Sequence, residues 1–494
     1  MKAMRSILLA ALAAAFIPGL AAQGTEAGAG KNDPFRFSFG LDLDYEYRLR
    51  SAELLVEEAK IKSGIDLTRN VLEMPPLAAM DLELGRERGV GIGFAAEARR
   101  QFRGDYFLDS NLAGLDFENP AITKGALYWR SESLDLSLGR DQVDLGEGLE
   151  GSLYPSLRLP YLDAFRAKAR LGRVGMDWLV ASIRAVPSWE VDSYGDASYD
   201  IDPNEGLSSE DFPTSVANED EPYGFQDDAN PTTVIEALHR FTWDFGKLRI
   251  GVAEHIMYAR RNNYFTLTDF LPVISWHQTT IMSNNMSMLA DFEWRPLPGL
   301  RVMGMGGLDE VDARDVGVND SGSPTVAAWV LGAEYEGRIG AGPVRAYAEG
   351  GYTHYLWGNF DGSNDTPGDV DPLERAQYRL FMDAGAGLLP LTSPYGPGSL
   401  WGRLDGRVEL ESLGLRVGLE LLALSKIKSA NLVDTSVFDP LADDSRLLFL
   451  EAKLPLRWRY RGFEAHASPE LLWRDGEAWT ELSLGAAYRL RLER

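Results

Sequence analysis

The segment Phe35–Arg50 alternates apolar and polar side chains along its whole length. Successive side chains of a β-strand point to opposite faces, so the pattern predicts one strand with an apolar face and a charged, wet face. At about 3.3 Å per residue the strand would reach roughly 50 Å, which exceeds the usual strand of a soluble domain. Two structures fit: a strand of a transmembrane barrel, with lipid on one side and a water-filled lumen on the other, and an edge strand of a large soluble β-sandwich.

The same alternation recurs to the end of the chain and favours an all-β fold, a transmembrane antiparallel β-barrel with long outer loops and short periplasmic turns. Residues 448–458 and 482–492 repeat the opening pattern, and we expect the last strand to pair with Phe35–Arg50 and close the barrel. Nineteen segments fit, but such barrels have an even number of strands, so one assignment within residues 359–412 must be wrong. Roughly 26 residues per strand with its connection predict about eighteen strands, within a range of sixteen to twenty.

The first residues indicate export. Lys2 and Arg5 precede an apolar run and the small residues that end at Ala22, which predicts a signal peptide over residues 1–22. Residues 23–34 then form a short N-terminal segment, and residues 35–494 form the barrel. No later stretch approaches about eighteen consecutive apolar residues, so helical membrane spans are not expected. An exported chain of two-faced strands is best placed in an outer membrane.

Composition narrows the function further. The formal net charge is −25, which makes nucleic acid a poor partner because its phosphates require a basic surface. Cysteine is absent, so disulfides and thiolate metal sites are not expected. None of the five histidines lies in a Gly-x-Ser-x-Gly or His-Glu-x-x-His motif. His466 and Ser468 share one face of a strand, but two polar lumen residues explain that pair more simply than catalysis, so we expect no enzyme.

Two long connections are strongly acidic, residues 187–232 and 359–377. They fit solvated loops kept open by self-repulsion, and also loops that order around Ca²⁺, which prefers several carboxylate oxygens. Neither has the spacing of a dedicated calcium motif. No cofactor is otherwise expected.

Arginine and lysine residues lie near the periplasmic ends of the predicted strands. Either they pair with lumen acids such as Glu293, Glu451 and Glu493, or they form a basic constriction that favours anionic solutes. The residues in question are Arg36, Arg170, Arg173, Lys247, Arg249, Arg295, Arg301, Arg457, Arg459, Arg489 and Arg491.

Two segments resemble the capsule-assembly (Wzi-type) family of outer-membrane barrels. The first contains Leu138-Gly139-Arg140-Asp141, Gly146, Gly148, Gly151-Ser152-Leu153 and Pro160, and the second Gly251-Val252-Ala253-Glu254, Tyr258, Arg260, Asn284-Asn285-Met286 and 294–300. The resemblance covers roughly residues 134–308. It implies an eighteen-stranded barrel that attaches or organises polysaccharide at the cell surface. The long helical segment that precedes the barrel in some members has no room between Ala22 and Phe35.

The glycines of the first segment predict that the chain after Val143 folds into the barrel, because glycine lets backbone pass where side chains would clash. Arg140, Asp141, Glu147 and Arg158 would then lie in the lumen, where arginine can bind the carboxylates of acidic sugars in bidentate fashion. Strand parity places Arg140 on the outward face, and we expect the glycine-rich turn to re-aim it inward.

Trp276 and His277 lie in a loop where ring faces could stack on sugars. The expected partners are outer-membrane lipid and an acidic surface polysaccharide or oligosaccharide. Two functions stay open at this point. One is binding or organising surface polysaccharide, and the other is a porin-like or anion-selective oligosaccharide channel.

Overall fold

Long antiparallel strands make up most of the described chain. The computed structural model describes residues 35–50, 73–99, 121–145, 148–155, 159–186, 232–261, 285–310, 325–340, 342–358, 377–382, 385–428, 430 and 445–493. The strands are β1 (Phe35–Arg50), β2 (Ala78–Arg86), β3 (Gly89–Ala98), β4 (Ala121–Arg130), β5 (Leu134–Asp141), β6 (Leu162–Leu171), β7 (Val174–Val186), β8 (Thr232–Asp244), β9 (Leu248–Arg261), β10 (Asn285–Leu297), β11 (Leu300–Glu310), β12 (Val326–Ile339), β13 (Gly342–Thr353), β14 (Gln377–Met382), β15 (Gly385–Pro390), β16 (Ser399–Leu410), β17 (Leu415–Ile427), β18 (Arg446–Lys453), β19 (Leu456–Tyr460), β20 (Phe463–Arg474) and β21 (Glu477–Glu493).

Neighbouring strands pair in sequence order, and β21 pairs with β1 from Ser38 opposite Glu493 to Arg50 opposite Glu481. The sheet is therefore a closed antiparallel barrel. The segments β18 and β19 occupy one position in the ring, since each pairs with both β17 and β20, so the barrel has eighteen strands. The predicted fold, closure and strand number are confirmed. Short turns lie at the end where β1 begins, here called the periplasmic end, and long connections lie at the outer end, except for the two-residue turn between β20 and β21.

One sequence-based strand assignment is wrong. Residues 378–388 alternate like a barrel strand, but the structure places them in a separate hairpin, β14 paired with β15. The barrel continues from β13 directly to β16, with Val344 opposite Val408. The alternation could not distinguish the two cases because a hairpin has the same period of two as a spanning strand.

A proline interrupts the ring between β18 and β19. Pro455 has no N–H, so its pair with Gly418 of β17 has a single hydrogen bond, from Gly418 N to Pro455 O at 2.8 Å. The neighbouring Leu454 donates to the carbonyl of Pro469, a second proline without an N–H, at 3.0 Å. The register continues unchanged across the break, so the ring is weakened here without a slip.

The two faces of each strand have different surroundings. On β1, Leu43 and Tyr45 are each 46% exposed on the outer wall, whereas Glu46 and Arg48 are only 7% and 6% exposed inside. The charged face of the sequence pattern is thus the buried one, as expected for a barrel whose outer wall meets lipid. Within the described part of the chain, no helix has the length and apolar character needed to cross a membrane.

The lumen contains a hydrophobic core. Its members include Leu179, Leu238, Met257, Met303 and Tyr347 of the inner wall, together with side chains of residues 142–161. The predicted signal peptide and the segment 23–34 lie outside the described residues.

Candidate functional site

A segment that follows β5 lies inside the barrel. We call residues 142–161 the plug, of which the structure describes 142–145, 148–155 and 159–161. Its buried apolar side chains pack against the inner wall: Val143, Leu145, Leu149, Leu153, Tyr154 and Leu159. The expectation that the chain after Val143 folds into the lumen is confirmed.

Two glycines of the plug are required by its close approach to the wall. Gly148 has a φ of +82°, a conformation that side chains rarely adopt. At Gly151 a Cβ atom would lie 2.6 Å from the ring of Trp401 and 2.8 Å from Glu349 Oε1. The spacing of these glycines in the sequence therefore reflects packing of the plug.

The first anchor of the plug is the carboxylate of Glu349 on β13. It accepts hydrogen bonds from the backbone N–H groups of Glu150 and Gly151, each at 2.8 Å, and from Trp401 Nε1 at 3.3 Å. The hydroxyl of Tyr347 also donates to it. Glu349 is 5% exposed, so these donors replace the water that a buried carboxylate would otherwise need.

The second anchor joins the plug to β10, three strands along the wall from β13. Tyr154 donates its hydroxyl to Asp291 Oδ2 at 2.9 Å, and Arg240 forms a bidentate pair with the same carboxylate at 2.9 and 2.7 Å. Arg240 also lies 3.4 Å from Asp177. All of these groups are buried or nearly so, and a buried pair is strongly destabilised when one partner is removed.

Residues 391–398, here called the cap, form a second inward segment. Lys426 donates to the carbonyls of Tyr395 and Pro397 at 3.0 and 2.7 Å, and the Tyr395 ring packs on Trp401 with 5.0 Å between centroids. Because Trp401 also binds Glu349, the cap and the plug share one wall residue.

His354 connects the cap to the end of β13. Its carbonyl accepts from Gly398 N at 3.0 Å, and its Nδ1 accepts from Leu356 N at 3.3 Å. Burial lowers the pKa of His354, because the charged imidazolium loses hydration. The neutral ring is therefore the form that fits this contact.

A cavity of about 520 Å³ lies between the plug, the cap and the wall formed by β1 and β16–β21. Half of its lining residues carry charged side chains. The acids are Asp44, Glu46, Glu73, Glu150, Glu420, Glu451 and Glu464, and the bases are Arg48, Arg403, Lys453, Arg457 and Arg489, with His466 beside them. A volume of this size accommodates a small solute.

Three arginines surround a single acid at the periplasmic end of this cavity. The buried Glu464 lies 2.5 Å from Arg459, 3.5 Å from Arg457 and 3.7 Å from Arg489. Other arginines at this end also have acidic partners, for example Arg249 at 3.1 Å and Arg295 at 2.7 Å from Glu293. Pairing with lumen acids, one of the two possibilities considered from sequence, is thus observed, and Glu464 has a local surplus of positive charge.

The structure places Arg140 on the outward face. The register sets it directly opposite Asp163, and their bidentate pair spans 2.7 and 2.8 Å. Its guanidinium also lies 4.0 Å from the centre of the Tyr161 ring. The neighbouring Asp141 and Leu162 face inward, so the expectation that the turn re-aims Arg140 into the lumen is wrong. The expectation neglected Asp163, which neutralises the arginine where it stands.

Asp141 does face the lumen. It accepts a hydrogen bond from the Tyr128 hydroxyl at 2.9 Å and lies 3.7 Å from Lys124. Asp141 and Arg140 are therefore on opposite sides of the wall and do not form one site. Glu147, Arg158, Trp276 and His277 lie outside the described residues.

Sequence reasoning did not identify the anchors Glu349, Asp291 and Trp401. Each continues the regular alternation of its strand, and each contacts the plug across more than a hundred residues of chain. The one signal in the sequence is the pair Gly350 and Gly351 next to Glu349, since adjacent glycines indicate close packing against the strand.

Ca²⁺ binding by the two acidic loops and a catalytic role for His466 and Ser468 were the possibilities considered from sequence. The acidic loops fall outside the described residues, apart from their ends. Among the residues that are described, no group of three or more histidine or acidic side chains could hold a metal ion. His466 Nε2 lies 3.3 Å from Glu46 Oε2 within the charged cavity, on the same lumen face as Ser468.

Comparison with known proteins gives a likeness of fold. No family model matches the chain, and no curated protein matches it. Among solved structures it is similar to Wzi of Escherichia coli, an outer-membrane protein involved in group 1 capsule assembly and a carbohydrate-binding β-barrel. The TM-score is 0.51 at 10% identity, over 92% of this chain and 84% of that one.

Other similar structures include two Occ proteins. OccK5 (OpdH) of Pseudomonas aeruginosa has a TM-score of 0.43 at 10% identity, over 93% of this chain and 98% of that one. OccAB4 of Acinetobacter baumannii has a TM-score of 0.45 at 9% identity, over 94% and 100%. Together with the closed ring, the likeness to Wzi shows a β-barrel fold of the outer-membrane type, and the expected outer-membrane location is consistent with that fold.

Proposed function

We propose that this barrel binds or organises a surface polysaccharide in the outer membrane, and that its lumen is sealed by its own chain. The observation that carries the proposal is the plug. It crosses the lumen from β5 and is held at Glu349 and at Asp291, on two separate parts of the wall. Backbone and apolar side chains fixed in this way block solutes, whereas a polymer bound at the outer mouth does not need a path through the barrel.

The likeness to a carbohydrate-binding barrel supports the same proposal at the level of fold. The proposed polymer is acidic, because arginine forms paired charge-assisted hydrogen bonds with sugar carboxylates. The proposed contacts with the polysaccharide are Asp141, Glu147, Arg158, Trp276 and His277. Arg140 contributes only by exchanging Asp163 for a sugar carboxylate, since that acid now occupies its guanidinium.

Retention of an acidic polysaccharide on the immobilised protein tests the proposal. We expect Arg158→Ala to weaken retention by roughly 1 to 3 kcal/mol, the loss of one charge-assisted pair, and Arg140→Ala to weaken it less because Asp163 competes. Arg338→Ala is the matched control, since Arg338 pairs with Glu411 at 2.9 Å at the periplasmic end.

All three variants should keep the heat-modifiable migration of a folded barrel. If Arg158→Ala and Arg140→Ala fold and retain the polymer as well as the parent, the resembling segment serves packing alone and polysaccharide binding is refuted at this site.

A second function is favoured by the arginines around Glu464. These three arginines around one acid form a local basic site at the periplasmic end, although acids outnumber bases in the lining of the 520 Å³ cavity as a whole. A basic constriction suits anionic solutes, so the alternative is a porin-like, anion-selective oligosaccharide channel in which the plug moves aside. Conductance of the purified protein in a planar bilayer separates the two functions. Sealed barrels predict no steady current, and a channel predicts steady anion-selective current.

A further inference from the structure

The outer wall has a shallow apolar groove between β12 and β20. In one row of paired residues across the strands, Leu331, Gly350, Gly402, Ala423, Leu450 and Trp473 follow one another. Three small residues thus separate two leucine ridges that are four strand spacings, or about 19 Å, apart. The volume above them is about 840 Å³.

The floor of the groove is bare backbone. A Cβ built on Gly402 meets no atom within 4 Å, and one built on Gly350 meets only the carbonyl oxygen of Trp401. Leu404 and Leu471 border the groove and are more than half exposed. The neighbours Trp401 and Arg403 face the lumen, so this floor faces the bilayer. In the bilayer this surface is in contact with the acyl chains of lipids.

A cation lies at the outer end of the same wall. Arg446 is exposed and shares the outward parity of Leu448 and Leu450, while Phe449 points into the lumen. It lies four residues from Leu450, or about 13 Å toward the outer end. The rise along the membrane normal is smaller because barrel strands are tilted, but Arg446 is the first residue of β18 at the outer end, where an outward arginine costs little.

Arg446 differs from the outward Arg140 in its partners. Arg140 has Asp163, but no carboxylate of the described residues lies within 4 Å of Arg446, whose hydrogen bond is to the Ser425 hydroxyl at 3.4 Å. Lys428 lies nearby in sequence register and pairs with Asp475 at 2.9 Å. Among the described residues, therefore, no carboxylate competes for the guanidinium of Arg446, and an anion at the outer end of the wall can bind it.

We propose that this wall binds one phosphorylated, multiply acylated glycolipid of the outer leaflet. Its phosphate would accept a bidentate pair from Arg446, and its acyl chains would lie over Gly402 and Gly350 between the leucine ridges. The charge of Arg446 favours a phosphorylated lipid over an uncharged one, and the width of the groove favours several chains over one. The site is on the outer wall and does not depend on polysaccharide binding.

Native mass spectrometry of the full-length protein tests the proposal. The protein is refolded without lipid and then given a bisphosphorylated, hexa-acylated diglucosamine lipid, its dephosphorylated form, or phosphatidylglycerol. We expect one retained molecule of the phosphorylated glycolipid. Both Arg446→Gln and Gly402→Leu should lower its affinity about tenfold, the first by removing the charge and the second by filling the groove.

Arg338→Gln is the matched control, because it removes an exposed arginine at the opposite end of the barrel. It should bind like the parent, and heat-modifiable migration shows that each variant is folded. Equal affinity of the parent and both groove variants would overturn the proposal. So would equal retention of the dephosphorylated lipid or phosphatidylglycerol, or a dimer of the protein in place of a lipid adduct.

Discussion

Single residues decide how the lumen is closed. The carboxylate of Glu349 collects donors from the plug, from Tyr347 and from Trp401, so one buried charge links three segments that are distant in sequence. Arg140 shows the opposite case, in which a charge that is costly in lipid is neutralised by the residue directly across the sheet. In both cases the charged residue is stabilised in its position by the partners that it contacts.

His354 predicts a pH dependence of the cap. Burial lowers its pKa in the folded protein below the ordinary value of 6.5, so the unfolded chain binds more protons as the pH falls. The contribution of His354 to stability is therefore complete above pH 6.5 and is lost as the pH falls through the folded pKa. We expect the unfolding temperature to fall more between pH 7 and pH 5 in the parent than in His354→Asn.

The comparison with the variant isolates His354 from the other histidines, which titrate in both proteins. An identical fall in the parent and in His354→Asn would show that the ring is protonated without cost in the folded cap.

At the scale of elements, the plug is a loop that has become part of the core. It resembles the interior of a soluble protein, with buried leucines and with Gly148 and Gly151 where no side chain fits. Its two anchors lie on β13 and β10, so release requires both to break.

Removing one anchor should make opening of the lumen easier, because only the anchor at Asp291 then has to break. Glu349→Ala leaves the Gly151 N–H and the Trp401 Nε1 without their acceptor, at a cost of about 1 to 3 kcal/mol for each buried group, while the Glu150 N–H keeps the Tyr347 hydroxyl at 3.2 Å. We expect transient current steps in a planar bilayer that the parent lacks. Glu336→Ala is the control, because Glu336 is an exposed acid near the end of β12. If neither variant gives current across the bilayer, the plug is held in place by its apolar packing.

The elements could be predicted from sequence far better than the site. Lipid outside and water inside impose a period of two on every spanning strand, and so eighteen of the segments were recognised, from Phe35–Arg50 onward. Residues 378–388 satisfy the same period in a hairpin, so periodicity alone could not exclude them. The anchors could not be found because alternation assigns a face and not a partner. Glu349 meets Gly151 across 198 residues, and that distance depends on the register of the whole ring.

The whole molecule is a ring of strands around a filled lumen. Its outer face is apolar and its inner face carries paired charges, so the folded barrel needs a membrane or detergent on one side only.

This architecture predicts a characteristic behaviour in detergent. The circular dichroism spectrum should be dominated by β-structure, and unheated protein should migrate differently from boiled protein on a denaturing gel, because the closed ring resists unfolding. Boiling should abolish the difference. A spectrum rich in helix, or equal migration before and after boiling, would contradict the closed ring.

The pairing of β1 with β21 has a consequence for the order of folding. The other neighbours in the ring follow one another along the chain, with only the hairpin β14–β15 inserted between β13 and β16, whereas the contact of Arg491 with Asp42 spans 449 residues. The entropic cost of closing a loop grows only with the logarithm of its length, so this pairing affects the folding rate more than the stability. Strands so far apart in sequence pair late in folding. Until they meet, both end strands present unpaired edges that attract other chains. The final pairing is therefore the step at which a cellular assembly factor would accelerate folding the most.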